Sequence, residues 1–68
     1  MISFVMNGDV TTAADNTTVS SLVGTVSGRE GRGIAVAIND EVTPRSLWDV
    51  TRVLDGDRVE ILTAAQGG

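Results

Sequence analysis

The fold is decided by residues 54–64, which read LDGDRVEILTA. Within them, Asp55-Gly56-Asp57 predicts a tight turn, because these residue types favour turn geometry. Residues 58–61 then alternate polar and apolar side chains, which predicts a strand with one buried face. Residues 62–64 continue this strand, and the sequence closes with residues 65–68, AQGG. The pattern therefore predicts a strand that leads directly into a short terminal segment.

A second pair of strands is predicted just upstream. In residues 34–38 every second side chain is Ile or Val, which indicates a strand with one apolar face. Asn39-Asp40 predicts a turn, and residues 41–43 form a short returning strand that a proline stops. Residues 45–51 are predicted to be irregular or a single helical turn. Trp48 is expected to cover one end of the core, and a Trp48 that faces a partner is the alternative.

The N-terminal part predicts a hairpin followed by a helix. Residues 2–6 and 10–13 are the strands, and Asn7-Gly8-Asp9 joins them because Asn and Gly tolerate the positive φ of a hairpin turn. Residues 15–18 are all helix N-cap types, and Gly28 is placed to end the helix. Between them, an apolar stripe with helical spacing predicts packing on a sheet. The stripe consists of Val19, Leu22, Val23 and Val26.

The resulting order ββαβββ predicts an α+β fold with a mixed sheet packed on one helix. The helix between the second and third strands permits a parallel crossover in the centre of the sheet. We expect one domain over residues 1–64, because 68 residues provide a single thin core. Residues 65–68 are expected to form a flexible C-terminal tail that ends in Gly-Gly.

Composition excludes several function classes. The chain has no Cys and no His, and all five basic residues are Arg. It therefore lacks thiol nucleophiles, imidazole bases, the Cys and His ligands of metal sites and the lysine of a phosphate loop. A self-sufficient enzyme is not expected, and neither is a bound cofactor or metal. The net charge of -4 argues against nucleic acid or anionic membrane as a partner. Without a visible targeting or membrane segment, a cytoplasmic location is expected.

The Gly67-Gly68 end is the most distinctive chemical feature left. Four residues beyond Ala64 reach roughly 13 Å when fully extended. Two glycines remove side-chain bulk, so this arm could thread a narrow channel and deliver the Gly68 carboxylate to a reaction centre. The alternative is that Gly-Gly is only a frayed end.

The sequence resembles the bacterial sulfur-carrier family of thiamine biosynthesis (ThiS) over essentially its whole length. The Thr-rich residues 11–18 depart from the family pattern. The resemblance implies a ubiquitin-like β-grasp fold. The resemblance is found in the hairpin start and in the segments Gly33–Asn39, Val42–Trp48, Leu54–Ala64 and Gln66–Gly68.

The resemblance also implies a chemistry for the tail. A ubiquitin-activating-type adenylating enzyme (ThiF-like) would use ATP to convert the Gly68 carboxylate to an acyl-adenylate. Sulfur that comes from cysteine through a desulfurase would replace AMP, and the thiocarboxylate would pass its sulfur to thiazole synthase (ThiG-like). Gly67 and Gln66 would give the enzymes access to Gly68. Leu62, Ala64 and Ala65 are the expected partner-binding residues, and Leu62 is expected to be exposed because its neighbour Ile61 is buried.

Three other functions stay open at this point. The small subunit of molybdopterin synthase shares the fold and the Gly-Gly end, although residues 44–48 and the short length favour the thiamine carrier. A ubiquitin-type modifier would be attached through Gly68 to lysines of target proteins. A β-grasp interaction module would have an inert tail, and blocking the terminus would distinguish it.

Overall fold

The chain folds into a five-stranded sheet with a helix on one face. The computed structural model describes residues 1–27 and 33–63. The elements in these two ranges confirm the predicted order ββαβββ. The strands are β1 (Ile2–Met6), β2 (Asp9–Ala13), β3 (Ile34–Ile38), β4 (Glu41–Val42) and β5 (Arg58–Thr63). The helix α1 spans Val19–Ser27, and a 3-10 turn spans Arg45–Leu47.

The strand order across the sheet is β2-β1-β5-β3-β4. The first and last strands, β1 and β5, are parallel neighbours at its centre, whereas β1–β2, β3–β5 and β3–β4 are antiparallel. Strands β2 and β3 therefore run in the same direction, with β1 and β5 between them. The predicted crossover through α1 is present, and it spans two strands instead of joining sheet neighbours.

Two hairpins use two-residue turns in which both residues have positive φ. Asn7 and Gly8 have φ values of 50° and 89°, and Asn39 and Asp40 have values of 52° and 73°. Positive φ at both positions matches the right-handed twist of the flanking strands, and Asn, Asp and Gly adopt it most easily. The sequence therefore places both turns correctly.

The helix begins where the N-cap cluster predicts. The hydroxyl of Thr18 accepts a hydrogen bond from the Ser21 N–H at 3.2 Å, so Thr18 satisfies one of the free donors of the first turn. Val26 remains 44% exposed, so the prediction that it packs in the core is wrong. It lies in the last turn of α1, beyond the buried cluster that holds the rest of the stripe. Gly28 lies outside the described residues.

The core lies between α1 and the inner face of the sheet. Trp48 is only 5% exposed and its indole N–H donates to the carbonyl of Thr43 at 3.0 Å. The prediction that Trp48 covers the core is confirmed, and the alternative that it faces a partner is wrong. The segment that carries it also holds the helix start, since the Val19 N–H donates to the Thr51 carbonyl at 2.9 Å. The buried side chains are Phe4, Val19, Leu22, Val23, Val36, Trp48, Val53, Val59 and Ile61.

Candidate functional site

Strand β5 carries the chain from the core toward the tail. Val59 and Ile61 are buried, whereas Glu60 and Leu62 are exposed on the opposite face of the sheet. Leu62 is 65% exposed, which confirms the sequence-based expectation that it faces solvent. The other predicted site residues lie outside the described residues, namely Ala64, Ala65, Gln66, Gly67 and Gly68.

The side chain of Asn7 fixes the middle of β5. Its amide Nδ2 donates to the carbonyl of Ile61 at 3.1 Å, and its Oδ1 accepts from the Ile61 N–H at 2.8 Å. The Asn7 backbone N–H donates to the Val59 carbonyl at 2.9 Å. Strand β1 ends at Met6, so the amide of Asn7 takes the place of the next peptide group beside β5. The sequence predicted only a turn role for Asn7. The sequence feature that could have revealed the second role is an Asn directly after a strand, because its side-chain amide can imitate a backbone peptide group.

The turn before β5 is held at both sides. Asp55 accepts a hydrogen bond from the Ser3 N–H at 2.8 Å, which joins the turn to β1. Asp57 accepts from the Leu54 N–H at 2.8 Å and from the Asn39 side chain at 3.0 Å, which joins it to the β3–β4 turn. Both carboxylates of the Asp55-Gly56-Asp57 turn therefore position the start of β5, and Asn7 positions its middle.

The sheet face opposite α1 is largely apolar, and we call it the outer face. Strand register places Leu62 opposite Ala35, and Ala37 opposite both Glu60 and Val42. Val5 and Val10 pair with each other at the other side of the sheet. The outer face therefore combines apolar side chains with two hydroxyl side chains at one side and two charged residues on its central strand. Its members are Ser3, Val5, Val10, Thr12, Ala35, Ala37, Val42, Arg58, Glu60 and Leu62.

The two charges of the outer face have different surroundings. Arg58 forms an ion pair with Asp40, and this hydrogen-bonded carboxylate raises the pKa of Arg58 above its usual value. Glu60 contributes a smaller effect in the same direction. Within residues 1–27 and 33–63, the other ion pair joins the Met1 amino group to Asp15. Glu60 thus has no ion-pair partner in the described part of the chain.

Among the described residues there is no group of three or more acidic side chains that could hold a metal ion. None of their helices has the length and apolar character needed to cross a membrane. A shallow groove with a mixed polar and apolar lining lies near the start of β5. Its apolar lining includes Ile38, Val42, Pro44, Leu47 and Leu54.

A mixed sheet with parallel first and last strands at its centre and a helix on one face defines a ubiquitin-like β-grasp domain. The family model described as "ThiS family" matches residues 4–68. The chain belongs to the ThiS family.

Solved structures agree with this assignment. The crystal structure of the thiamine biosynthesis protein ThiS from Geobacter metallireducens is 32% identical, with a TM-score of 0.80 over 98% of this chain and all of that one. An NMR solution structure of a thiamine biosynthesis protein from the same organism also has 32% identity and a TM-score of 0.80, and the match covers 98% of this chain and 88% of that chain.

A curated relative is much longer than this chain. Thiazole synthase of Paramagnetospirillum magneticum (strain ATCC 700264 / AMB-1) is 34% identical over 67 residues, which are 98% of this chain and 20% of that protein. The chain therefore spans about a fifth of the length of this relative.

Proposed function

We propose that this protein is a sulfur carrier of thiamine biosynthesis whose reactive group is the carboxylate of Gly68. The ThiS family, to which the chain belongs, is one of small sulfur-carrier proteins. The observation that carries the proposal is the geometry of β5. Asn7 holds this strand at Ile61, while the next residue, Leu62, is exposed on an apolar face. A partner that contacts this face lies next to the segment that leads to Gly68.

The chemistry begins with activation of a poor electrophile. A carboxylate oxygen of Gly68 attacks the α-phosphorus of ATP, pyrophosphate leaves, and an acyl-adenylate forms. A sulfur nucleophile then attacks the carbonyl carbon and AMP leaves. Sulfide gives the thiocarboxylate directly, whereas a persulfide gives an acyl disulfide that a thiol reductant cleaves to the thiocarboxylate. The side chains of this protein supply neither step. They supply a recognition surface and an unbranched arm of Gln66, Gly67 and Gly68, and the partner enzymes supply catalysis.

Two enzymes are proposed as direct partners, and a third as an indirect one. An adenylating enzyme of the ubiquitin-activating type would activate Gly68, and a desulfurase would provide the sulfur indirectly. Thiazole synthase would receive the sulfur. The similarity to one fifth of a protein named thiazole synthase supports this second partnership, because a region like this chain occurs there within the same polypeptide. Leu62, Ala64 and Ala65 are the proposed contact residues. Because activation consumes ATP, we place the reaction in the cytoplasm.

Mass spectrometry of the intact protein tests the proposal. The purified chain is incubated with the adenylating enzyme of the same organism, ATP, a cysteine desulfurase, cysteine and dithiothreitol as the reductant. The expected product is a chain in which sulfur replaces one carboxylate oxygen of Gly68, and this mass change should require ATP. A chain with one residue added after Gly68 is the control and should stay unmodified. A mass that does not change in the complete mixture would contradict the carrier function and favour an interaction module with an inert tail.

A further inference from the structure

The Asn7-Gly8 turn combines a chemically labile dipeptide with a structural role. The side-chain amide of an Asn is open to attack by the backbone nitrogen of the next residue, and glycine permits this attack best because it has no Cβ to obstruct it. Of the three Asn residues in the chain, only Asn7 is followed by Gly, since Asn16 precedes Thr and Asn39 precedes Asp. Asn7 and Gly8 are both exposed, and in the described part of the chain nothing beyond the chain neighbours lies within 4 Å of where a Cβ on Gly8 would stand. Water therefore reaches this turn.

In the folded chain the side-chain amide of Asn7 is already bonded. Its Nδ2 donates to the Ile61 carbonyl at 3.1 Å and its Oδ1 accepts from the Ile61 N–H at 2.8 Å, so one residue of β5 holds both ends of the amide. Attack by the Gly8 nitrogen requires the amide plane to turn toward that nitrogen, and loss of Nδ2 requires it to leave its acceptor. Both movements break the bonds to Ile61 and leave its partly buried peptide groups without these partners. The turn is thus open to water while its reactive amide is held in place.

We propose that Asn7-Gly8 is a site of spontaneous deamidation, which the fold restrains through Ile61 and which releases β5 once it has occurred. The inference does not depend on the carrier function, because the reaction needs only water. The molecules that react are those in which β1 and β5 have separated, either locally or by unfolding of the domain. The rate of deamidation in the native protein is therefore the rate in an open chain multiplied by the fraction of molecules that are open.

The reaction balances with water as the only co-reactant. The Gly8 backbone nitrogen gives up its proton to solvent and attacks Cγ of Asn7, which forms an N–Cγ bond and closes a succinimide ring. The Cγ–Nδ2 bond breaks, and Nδ2 takes up a proton from solvent and leaves as ammonia. Water then opens the ring. Attack at Cγ gives aspartate at position 7, whereas attack at the backbone carbonyl carbon gives isoaspartate, and no atom is oxidised or reduced.

Either product removes the contact of residue 7 with β5. In the aspartate product an oxygen replaces Nδ2, so the Ile61 carbonyl loses its donor. In the isoaspartate product the former side-chain carbonyl joins the backbone, which inserts one extra backbone atom into a turn where Asn7 and Gly8 both have positive φ. The pairing of β1 with β2 is then disturbed as well, because the length of a hairpin turn sets the register of its strands. A modified chain therefore opens more often at the strand that leads to residues 64–68.

Mass spectrometry of intact protein and of its peptides tests the inference. The purified chain is incubated in mildly alkaline buffer, either unfolded in guanidinium chloride or folded in sodium chloride of the same ionic strength, and an isoaspartyl methyltransferase detects isoaspartate. The unfolded chain should be deamidated at residue 7, and the folded chain should react at least about tenfold more slowly. Leu22→Ala weakens the core without changing the turn and should speed the reaction in the folded sample, whereas the matched control Val26→Ala should not. Asn7→Gln should nearly abolish the modification, because its longer side chain would have to close a larger ring.

Ion exchange then separates the deamidated chain, whose stability is compared with that of the unaltered one. The deamidated chain should unfold at a lower denaturant concentration and exchange the Ile61 amide hydrogen faster. The inference is wrong if the unfolded chain is not modified at residue 7, if folded and unfolded chains react equally fast, or if the deamidated chain is as stable as the unaltered one. Each of these results leaves the carrier function standing, because sulfur transfer to Gly68 is measured separately on freshly prepared protein.

Discussion

Asn7 and Ile61 lie 54 positions apart in the sequence, yet the side-chain amide of Asn7 bonds both the N–H and the carbonyl of Ile61. These two bonds continue the pairing of β1 with β5 beyond the last residue of β1. Ile61 is also buried, so the strand is held by its backbone and by its side chain at one position. Beyond it, β5 continues only through Leu62 and Thr63 before the described residues end.

The first prediction concerns this amide. Asn7→Asp keeps an acceptor for the Ile61 N–H but removes the donor to the Ile61 carbonyl. A carboxylate oxygen then faces the Ile61 carbonyl oxygen, so we expect the free energy of unfolding to fall by about 1–3 kcal/mol. Asp tolerates the positive φ of this position, which isolates the side-chain effect. Urea denaturation measures the loss, and hydrogen exchange of the Ile61 amide should accelerate. Asn16→Asp is the matched control, because Asn16 is exposed and also has positive φ. Equal stabilities for the two variants would contradict the role of Asn7.

The second prediction concerns the core under α1. Leu22→Ala removes a buried side chain and leaves a cavity, and we expect it to cost about 2–5 kcal/mol. This is a large part of the stability of a small domain. Thermal melts measure the effect, with Val26→Ala as a control from the exposed end of the same stripe. A Leu22 variant that melts with the control would show that the helix face does not pack as described.

The third prediction concerns the exposed leucine beside the tail. Leu62→Asp should weaken binding to both the adenylating enzyme and thiazole synthase, because a charge in the apolar contact must be desolvated without a partner. The melting temperature should stay nearly unchanged, since Leu62 is exposed. Leu54→Asp makes the same change at another exposed leucine, which is 62% exposed and lies before the turn at the other end of β5. If both variants bind like the unaltered chain, Leu62 is not a contact residue.

The fourth prediction concerns the terminal glycines. Deletion of Gly68 leaves the carboxylate up to about 3.5 Å from its required position. A displacement of about 1 Å can already cost on the order of a hundredfold in rate, so ATP–pyrophosphate exchange with the adenylating enzyme should nearly vanish. Gly67→Val should have a similar effect, because its branched side chain does not fit a narrow channel. Both variants should melt like the unaltered chain. Exchange at the normal rate after deletion of Gly68 would exclude the carrier function.

Local patterns predicted much of this fold. The alternation in β5 correctly assigned Val59 and Ile61 to the core and Leu62 to solvent, because a strand has only two faces. The turns were equally visible, since positive φ restricts the choice of residues. The pairing of β1 with β5 was not predictable in this way, because it joins the two ends of the sequence. The role of Asn7 depends on that pairing and was therefore missed as well. Val26 was misassigned because helical spacing identifies a face of the helix but not how far the core extends beneath it.

The central position of β5 has a consequence for synthesis of the protein. Residues 58–63 leave the ribosome after both hairpins, β1–β2 and β3–β4, and after α1. The two hairpins do not pair with each other in the sheet, and only β5, which inserts between β1 and β3, joins them. Nascent chains that stop before Arg58 thus expose two unpaired strand edges and remain targets for proteolysis. Folding in this topology waits for the strand that bears the tail, so partner enzymes meet a folded surface only on chains whose synthesis has reached the end of β5.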